Sequence, residues 1–273
     1  MALTDKLKAI ADAIRSKTGS TESMTLDQMA SEISNISTGG IVEEPYIKEI
    51  HDETGKLIDA EMVGFTSIRD YMFYTCTGLT SITLSPSSCI TSIGNCAFYA
   101  CFSLSLTSLP SEITYIGVQA FKSCNNLSLT NLPSGITKID ESTFQGCNKL
   151  ALTSLPSGLI SIGKYAFRKC YEISLTSLPS GLSVIDQEAF YECGKLALTS
   201  LPDGITTIGN FAFYACKGLT SITFEGTPTS IAPNAFNNCT NLTTINVPWA
   251  EGAVSGAPWG ATNATINYNY TGE

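Results

Sequence analysis

Charge is what this 273-residue chain has least of. Only 14% of its residues are Asp, Glu, Lys or Arg, well below the usual quarter. Arginine occurs three times, at Arg15, Arg69 and Arg168, and the net charge is −9. A nucleic-acid surface needs clustered Lys and Arg to replace counterions on phosphate, so nucleic acid is excluded as a partner. An anionic lipid surface is excluded for the same reason. No apolar run reaches the 18 or more residues of a membrane span, so no membrane insertion is expected. The opening "MALTDKLKAIADAIRSKTG" lacks the unbroken apolar stretch and small-residue cleavage site of a signal peptide. Synthesis in the cytosol is the expectation, with the final site, virion or cell surface, left open.

Histidine is almost absent too. His51 is the only one, in "EIHDE", and it reads as a solvated residue on a surface strand. A Ser-His-Asp or Cys-His machine has no other base to use. Metalloprotease, phosphate-loop and dinucleotide motifs are missing. Asp140 with Glu141, and Asp186 with Glu188, sit where a helical turn would begin, and carboxylates are favoured there for capping. A glycosidase would need two carboxylates facing across a cleft. The chain reads as non-enzymatic, with no catalytic residue, metal or cofactor.

What the sequence does hold is repetition. "LALTSLPSGLISIGKYAFRKC" (150–170) is followed by "EISLTSLPSGLSVIDQEAFYEC". Phe73, Phe98, Phe121, Phe144, Phe167, Phe190, Phe213 and Phe236 each precede a cysteine by three places. From Cys101 to Cys239 those cysteines recur every 23 residues. Ile68, Ile93 and their equivalents to Ile231 stand five places before each Phe. Cysteines placed once per repeat are repeat positions, small buried hydrophobes rather than disulfide partners. Cys89 and Cys96 fall outside the ladder; a C-x6-C pair with no nearby histidine is a weak metal signal, and their redox state stays open.

The unit has a mechanical reading. Leu- and Thr-rich pieces such as "LTSITL" (79–84) suit short strands. Pro and Gly, as at 156–158, turn the chain. A second short extended piece follows, and then Gly94, Gly117, Asp140, Gly163, Asp186 or Gly209. Gly and Asp suit an N-cap, so "xxAFxxC" is predicted to be one tight helical turn with Phe and Cys facing inward. One unit cannot bury its apolar face alone; stacked units can.

The segments "SIGNCAFYAC", "SIGKYAFRKC" and "TIGNFAFYAC", with "LTSITL" and "LTTINVP", resemble the BspA-like leucine-rich repeat family over residues 65–248. That resemblance implies an α/β repeat solenoid, a right-handed coil of about eight 23-residue units. It also implies a recognition role at a cell surface, with a protein or glycan ligand. One departure stands out. The first and last two units place apolar residues three, six and eight places after Cys, as at Leu79, Ile82 and Leu84. The five middle units place them at three, five and eight, with Thr107, Thr130, Thr153, Thr176 and Thr199 at six. A one-residue shift on a strand turns a side chain to the other face. Either the backbone kinks and every Leu stays inside, or Leu106, Leu129, Leu152, Leu175 and Leu198 form an exposed apolar stripe able to bind a partner. Tyr99, Tyr191 and Tyr214, each directly after a repeat Phe, are the second candidate binding strip.

The ends differ from the repeats. Leu3, Leu7, Ile10 and Ile14, then Leu26, Met29, Ile33 and Ile36, have helical spacing. They predict a helical hairpin over 1–38, an attachment module that could also form a homo-oligomer. Its sequence resembles the N-terminal segment of tail-fibre-like structural proteins from prophages, which implies a phage tail component. The alternative is a bacterial surface protein without phage origin. Residues 39–64 read as a linker and two capping strands around Thr54 and Gly55. Residues 249–273 read as a C-terminal cap with a strand over 264–270, against which Trp249 and Trp259 pack.

Overall fold

The structure, a computed structural model, describes residues 45–84 and 89–272. The expected helical hairpin over 1–38 lies outside the described residues. Residues 45–273 form one compact unit.

The repeat isoleucines build the regular wall. Dipeptides such as Ser92–Ile93 and Tyr115–Ile116 pair in parallel with the equivalent dipeptide of the neighbouring coil. In each pair the Ile is buried while its neighbour lies at or near the surface. Five such strands join from Lys138–Ile139 to Ser230–Ile231, and three from Ser67–Ile68 to Tyr115–Ile116. A strand of two residues suffices because every coil supplies the same pair at the same height.

The second wall is sheet-like only at the two ends. Leu57–Val63 pairs with Ser81–Leu84 at the start. Ser200–Leu201, Ser221–Phe224, Thr244–Asn246 and Thr265–Asn267 pair at the finish. In the middle units the chain bends at Thr107, Thr130, Thr153 and Thr176, and coils are linked there by bonds such as Ala151 N–H to Leu129 O (3.1 Å) and Ser174 N–H to Leu152 O (3.1 Å). These four threonines and Thr199 all face outward. Leu129, Leu152, Leu175 and Leu198 go inside, at most 1% exposed, and Leu106 is half-buried against the core. Where the two registers meet, at Ile82 and Leu106, an apolar cavity of about 50 Å³ remains, also lined by Ile68, Ile93, Phe98 and Leu109.

The "AFxxC" segment is not the expected helical turn. The residues two before and two after the repeat Phe are left-handed: Gln119 and Ser123 around Phe121, Tyr165 and Lys169 around Phe167, Glu188 and Glu192 around Phe190. Alternating left-handed residues cannot propagate a right-handed helix. They turn alternate N–H groups toward the next coil instead. Tyr165, Phe167 and Lys169 donate to the carbonyls of Gln187, Ala189 and Tyr191 at 2.8–2.9 Å, while Arg168 and Cys170 close local turns on Tyr165 and Phe167. The backbone groups of the turn are thereby satisfied without a helix. Among the described residues there is no helix, so the α/β class is corrected to an all-β solenoid.

Inside, the eight Phe rings stack with centroids 5.1–5.6 Å apart and planes within 15° of parallel. Each ring is at most 2% exposed. The offset between successive rings suits their quadrupoles. Beside them runs the thiol ladder: from Cys101 to Cys239, each Sγ donates to the Phe carbonyl of the preceding coil at 2.9–3.1 Å. All ten cysteines are free.

Both ends are covered. Tyr46–His51 and Leu57–Val63 form an antiparallel hairpin. Asp52 tightens its turn by accepting from the Thr54 and Lys56 N–H groups, and Gly55 supplies the left-handed residue. At the other end Thr265–Asn267 continues the sheet in parallel. The Trp259 carbonyl accepts the Phe236 N–H, the place taken by Thr143 in one inner coil and by Ala in the others. Trp259 is fully buried and Trp249 nearly so, with Phe224 5.2 Å from Trp249 and 6.1 Å from Trp259. The tail is thus a ninth, degenerate coil.

Candidate recognition surface on the turn face

The left-handed turns align the residue directly after each repeat Phe in one outward column: Tyr74, Tyr99, Lys122, Gln145, Arg168, Tyr191, Tyr214 and Asn237. The interior of this column is invariant, a Phe in every coil; the exterior is Tyr in four coils and Lys, Gln, Arg and Asn in the other four. Tyrosines cluster at its ends. Tyr74 stacks on Tyr99 at 5.0 Å and Tyr191 on Tyr214 at 4.4 Å. Of the expected tyrosine strip, then, Tyr191 and Tyr214 are brought together, while Tyr99 stands four coils away beside Tyr74.

Polar residues fill the middle. The Arg168 Nε lies 2.9 Å from the Glu188 carboxylate, and its guanidinium carbon stands 4.7 Å from the Tyr191 ring centre. Lys122 approaches the Tyr99 ring at 5.7 Å. Cation–ring pairs of this kind contribute about 0.5–1 kcal/mol at exposed sites, and they hold the long side chains flat over the turns. An open groove of about 320 Å³ lies here, lined among others by Gln119, Lys122, Glu141, Gln145 and Arg168. Partial burial, with Glu192 beside it, pushes the Tyr191 phenol up from its ordinary value, so it stays a neutral donor. Lys122, Gln145 and Arg168 escape a reading of the sequence because charged and amide residues on a turn resemble any solvated surface. Their only signal is a shared place one after the repeat Phe.

The Leu stripe offers no surface. Leu129, Leu152, Leu175 and Leu198 are buried beneath the outward threonines. The kink is favoured because five leucines in water would forfeit their burial energy, whereas threonine hydroxyls are solvated outside. The acidic pairs make local contacts: Asp140 pairs with Lys138, Asp186 accepts the Gln187 N–H at 2.7 Å, and Glu188 pairs with Arg168. His51 is exposed, 3.4 Å from Glu49. Among the described residues no group of three or more His, Cys, Asp or Glu converges to hold a metal, and no helix is long and apolar enough to cross a membrane.

Comparison with known proteins agrees with this architecture. The model of the BspA type leucine rich repeat region matches residues 58–174 and 160–250, in six copies. A leucine rich cell surface protein from Faecalibacterium prausnitzii shares the fold with a TM-score of 0.54 at 23% identity, over 75% of this chain and 70% of that one. A leucine-rich repeat protein from Eubacterium ventriosum matches at 22% identity and TM-score 0.45, over 76% and 66% of the two chains. The Treponema pallidum leucine rich repeat protein matches at 19% and 0.40, over 72% and 88%. No curated protein matches. With the family's repeat covering well over half of its length, this chain belongs to the BspA-type leucine-rich repeat proteins.

Proposed function

We propose that the chain is a non-enzymatic recognition or adhesion protein that binds a protein or glycan through the turn face of its solenoid. The observation that carries this reading is the contrast within a single column. Eight coils keep the same Phe inside, while the next residue outward runs Tyr, Tyr, Lys, Gln, Arg, Tyr, Tyr and Asn. A face serving only to shield the core has no need of that variety. Tyr and Arg are also the residues most enriched where proteins meet partners.

A cell-surface setting is supported by the cell-surface description of the Faecalibacterium protein of the same fold. A prophage-tail setting is supported by the resemblance of residues 1–38 to tail-fibre-like openings, and the helical spacing of Leu3, Leu7, Ile10 and Ile14 in the sequence suits attachment or self-association. Tail and holin genes beside this one would decide for the second. Light scattering on the full chain and on residues 45–273 reads out self-association through the opening.

The reading is tested with the full chain and a quadruple variant, Tyr99→Ser, Arg168→Ser, Tyr191→Ser and Tyr214→Ser. Both are assayed on arrays of glycans and of extracellular-matrix proteins. The wild type is expected to bind a ligand that the variant loses at unchanged folding. A ligand bound equally by both places recognition elsewhere on the solenoid.

A further inference from the structure

The turn face carries an interruption in its last coils. The residue after each repeat cysteine forms its own outward column, and over three coils that column reads Tyr171, Gly194, Lys217. The adjoining column, two after the repeat Phe, reads Glu192, Ala215, Asn238. Within these stretches the smallest residues, Gly194 and Ala215, fall in adjacent coils and border the same notch. Together with Tyr214 they outline an open notch of about 350 Å³. Parallel coils stack about 4.8 Å apart, so the missing side chain at Gly194 leaves a slot one coil high, the thickness of a saturated six-membered ring.

Gly194 is not required by the backbone. Its φ is not left-handed, and a Cβ added there meets nothing within 4 Å. The vacancy is therefore a feature of the surface and not a demand of the fold. Its rim holds a carboxylate from Glu192, an ammonium from Lys217 and an amide from Asn238, with two phenols from Tyr171 and Tyr214. Tyr171 is 40% exposed, and Tyr214 stacks one face on Tyr191 and meets Phe211 edge-on at 5.7 Å, while its equivalent in the next coil is Asn237, not a ring.

We infer that this notch binds one neutral pyranose unit of a glycan. The inference deepens the recognition reading and rests on it. The positive and negative groups balance, which disfavours an ion. Donors and acceptors alternate around an aromatic wall, which suits a ring bearing hydroxyls on its edge and C–H bonds on its face. A strand-adding peptide is disfavoured because the backbone is already spent: the Glu192 N–H donates to Tyr214 O and the Ala215 N–H to Asn237 O. The volume stands at the small end for ligand pockets, one ring and not a chain of them.

The probe is a panel of methyl pyranosides at millimolar concentration, read by saturation-transfer NMR on the full chain. Binding by the wild type is expected, with a loss of about tenfold or more in Gly194→Tyr and no change in thermal unfolding. Should Gly194→Tyr fold poorly, Tyr171→Ser provides the same test from the exposed wall of the slot. Equal binding by wild type and a folded Gly194→Tyr overturns the notch while leaving recognition by the turn face standing. A wild type that binds no pyranoside but holds a protein ligand sensitive to the quadruple variant also overturns the notch alone.

Discussion

The Cys170 thiol donates to the carbonyl oxygen of Phe144, one coil away, at 3.1 Å, and the same oxygen accepts the Cys147 N–H at 3.0 Å. Both lone pairs of the Phe144 carbonyl are thus used, one within the coil and one between coils. The arrangement recurs from Cys101 to Cys239. It makes the thiol an inter-coil tie as well as a small hydrophobe.

That relationship ranks the interior substitutions. Cys170→Ala removes the tie and a sulfur's volume but leaves Phe144 O with its Cys147 partner, so the expected cost is roughly 1–3 kcal/mol. Cys170→Ser keeps a donor and should fall nearer the low end. Phe167→Ala opens a cavity between two stacked rings and should cost about 3–5 kcal/mol. Urea midpoints of the three variants give the order, and a Cys170→Ala costlier than Phe167→Ala would contradict the packing described.

The left-handed turns make a prediction of opposite sign. Ser123 sits at φ 63°, and the equivalent place in the next coil is Gly146 at φ 76°. A non-glycine residue there costs about 1–2 kcal/mol, of which glycine's extra unfolded entropy returns about half. Ser123→Gly should therefore stabilise by about 0.5–1 kcal/mol. Ser123→Val, branched at Cβ, should destabilise by at least as much. Both are read by thermal unfolding.

Adjacent residues report the kink of the middle units. Leu152 is fully buried and Thr153 exposed. Leu152→Lys buries a charge without a partner and should cost more than about 4 kcal/mol, while Thr153→Lys should stay within about 0.5 kcal/mol of wild type. Circular dichroism of the two purified variants separates them. A folded Leu152→Lys beside a damaged Thr153→Lys would mean that the strand runs straight with leucines outward.

Alkali should act on the ladder as a unit. Burial raises the thiols of Cys101 and Cys239 from the ordinary 9.0 to about 12 and those of Cys124, Cys147, Cys170 and Cys216 well above it. Below 9.0 neither folded nor unfolded thiols ionise, so nothing is lost. Above 9.0 the unfolded chain releases these protons while the folded one keeps them. Stability then falls with rising pH, by about 1.4 kcal/mol per thiol per pH unit. Several thiols together exhaust a typical 5–15 kcal/mol within roughly one to two units. A cooperative loss of far-ultraviolet signal in that window is expected, with a shallower slope for the double variant Cys170→Ala, Cys193→Ala.

The interior was legible in the sequence because its spacing is rigid: Ile, Phe and Cys recur at the same offsets in every coil, and only stacking explains that. The turn was misread for a physical reason. Gly and Asp before "AF" look like an N-cap, yet residues such as Tyr165, Gln119 and Glu188 carry no mark of the left-handed conformation they adopt. The Leu register stayed open because a one-place shift and a backbone bend write the same letters. Tyr99, Tyr191 and Tyr214 were visible as aromatics in a fixed place, whereas Arg168 acquires its role only through Glu188 and Tyr191, each a coil away. The Gly194 notch is an absence, and an absent side chain becomes a shape only once its neighbours are stacked around it.

Thiol reactivity of the native protein tests the stacked interior most directly. With a thiol-specific chromogenic reagent at neutral pH, the exposed Cys89 should react at once and Cys76 and Cys96, at the margin of the core, more slowly. The seven ladder thiols from Cys101 to Cys239 should react only on unfolding, when all ten titrate. Rapid reaction of the ladder in the folded state, or fewer than ten thiols in denaturant without reductant, would contradict the account.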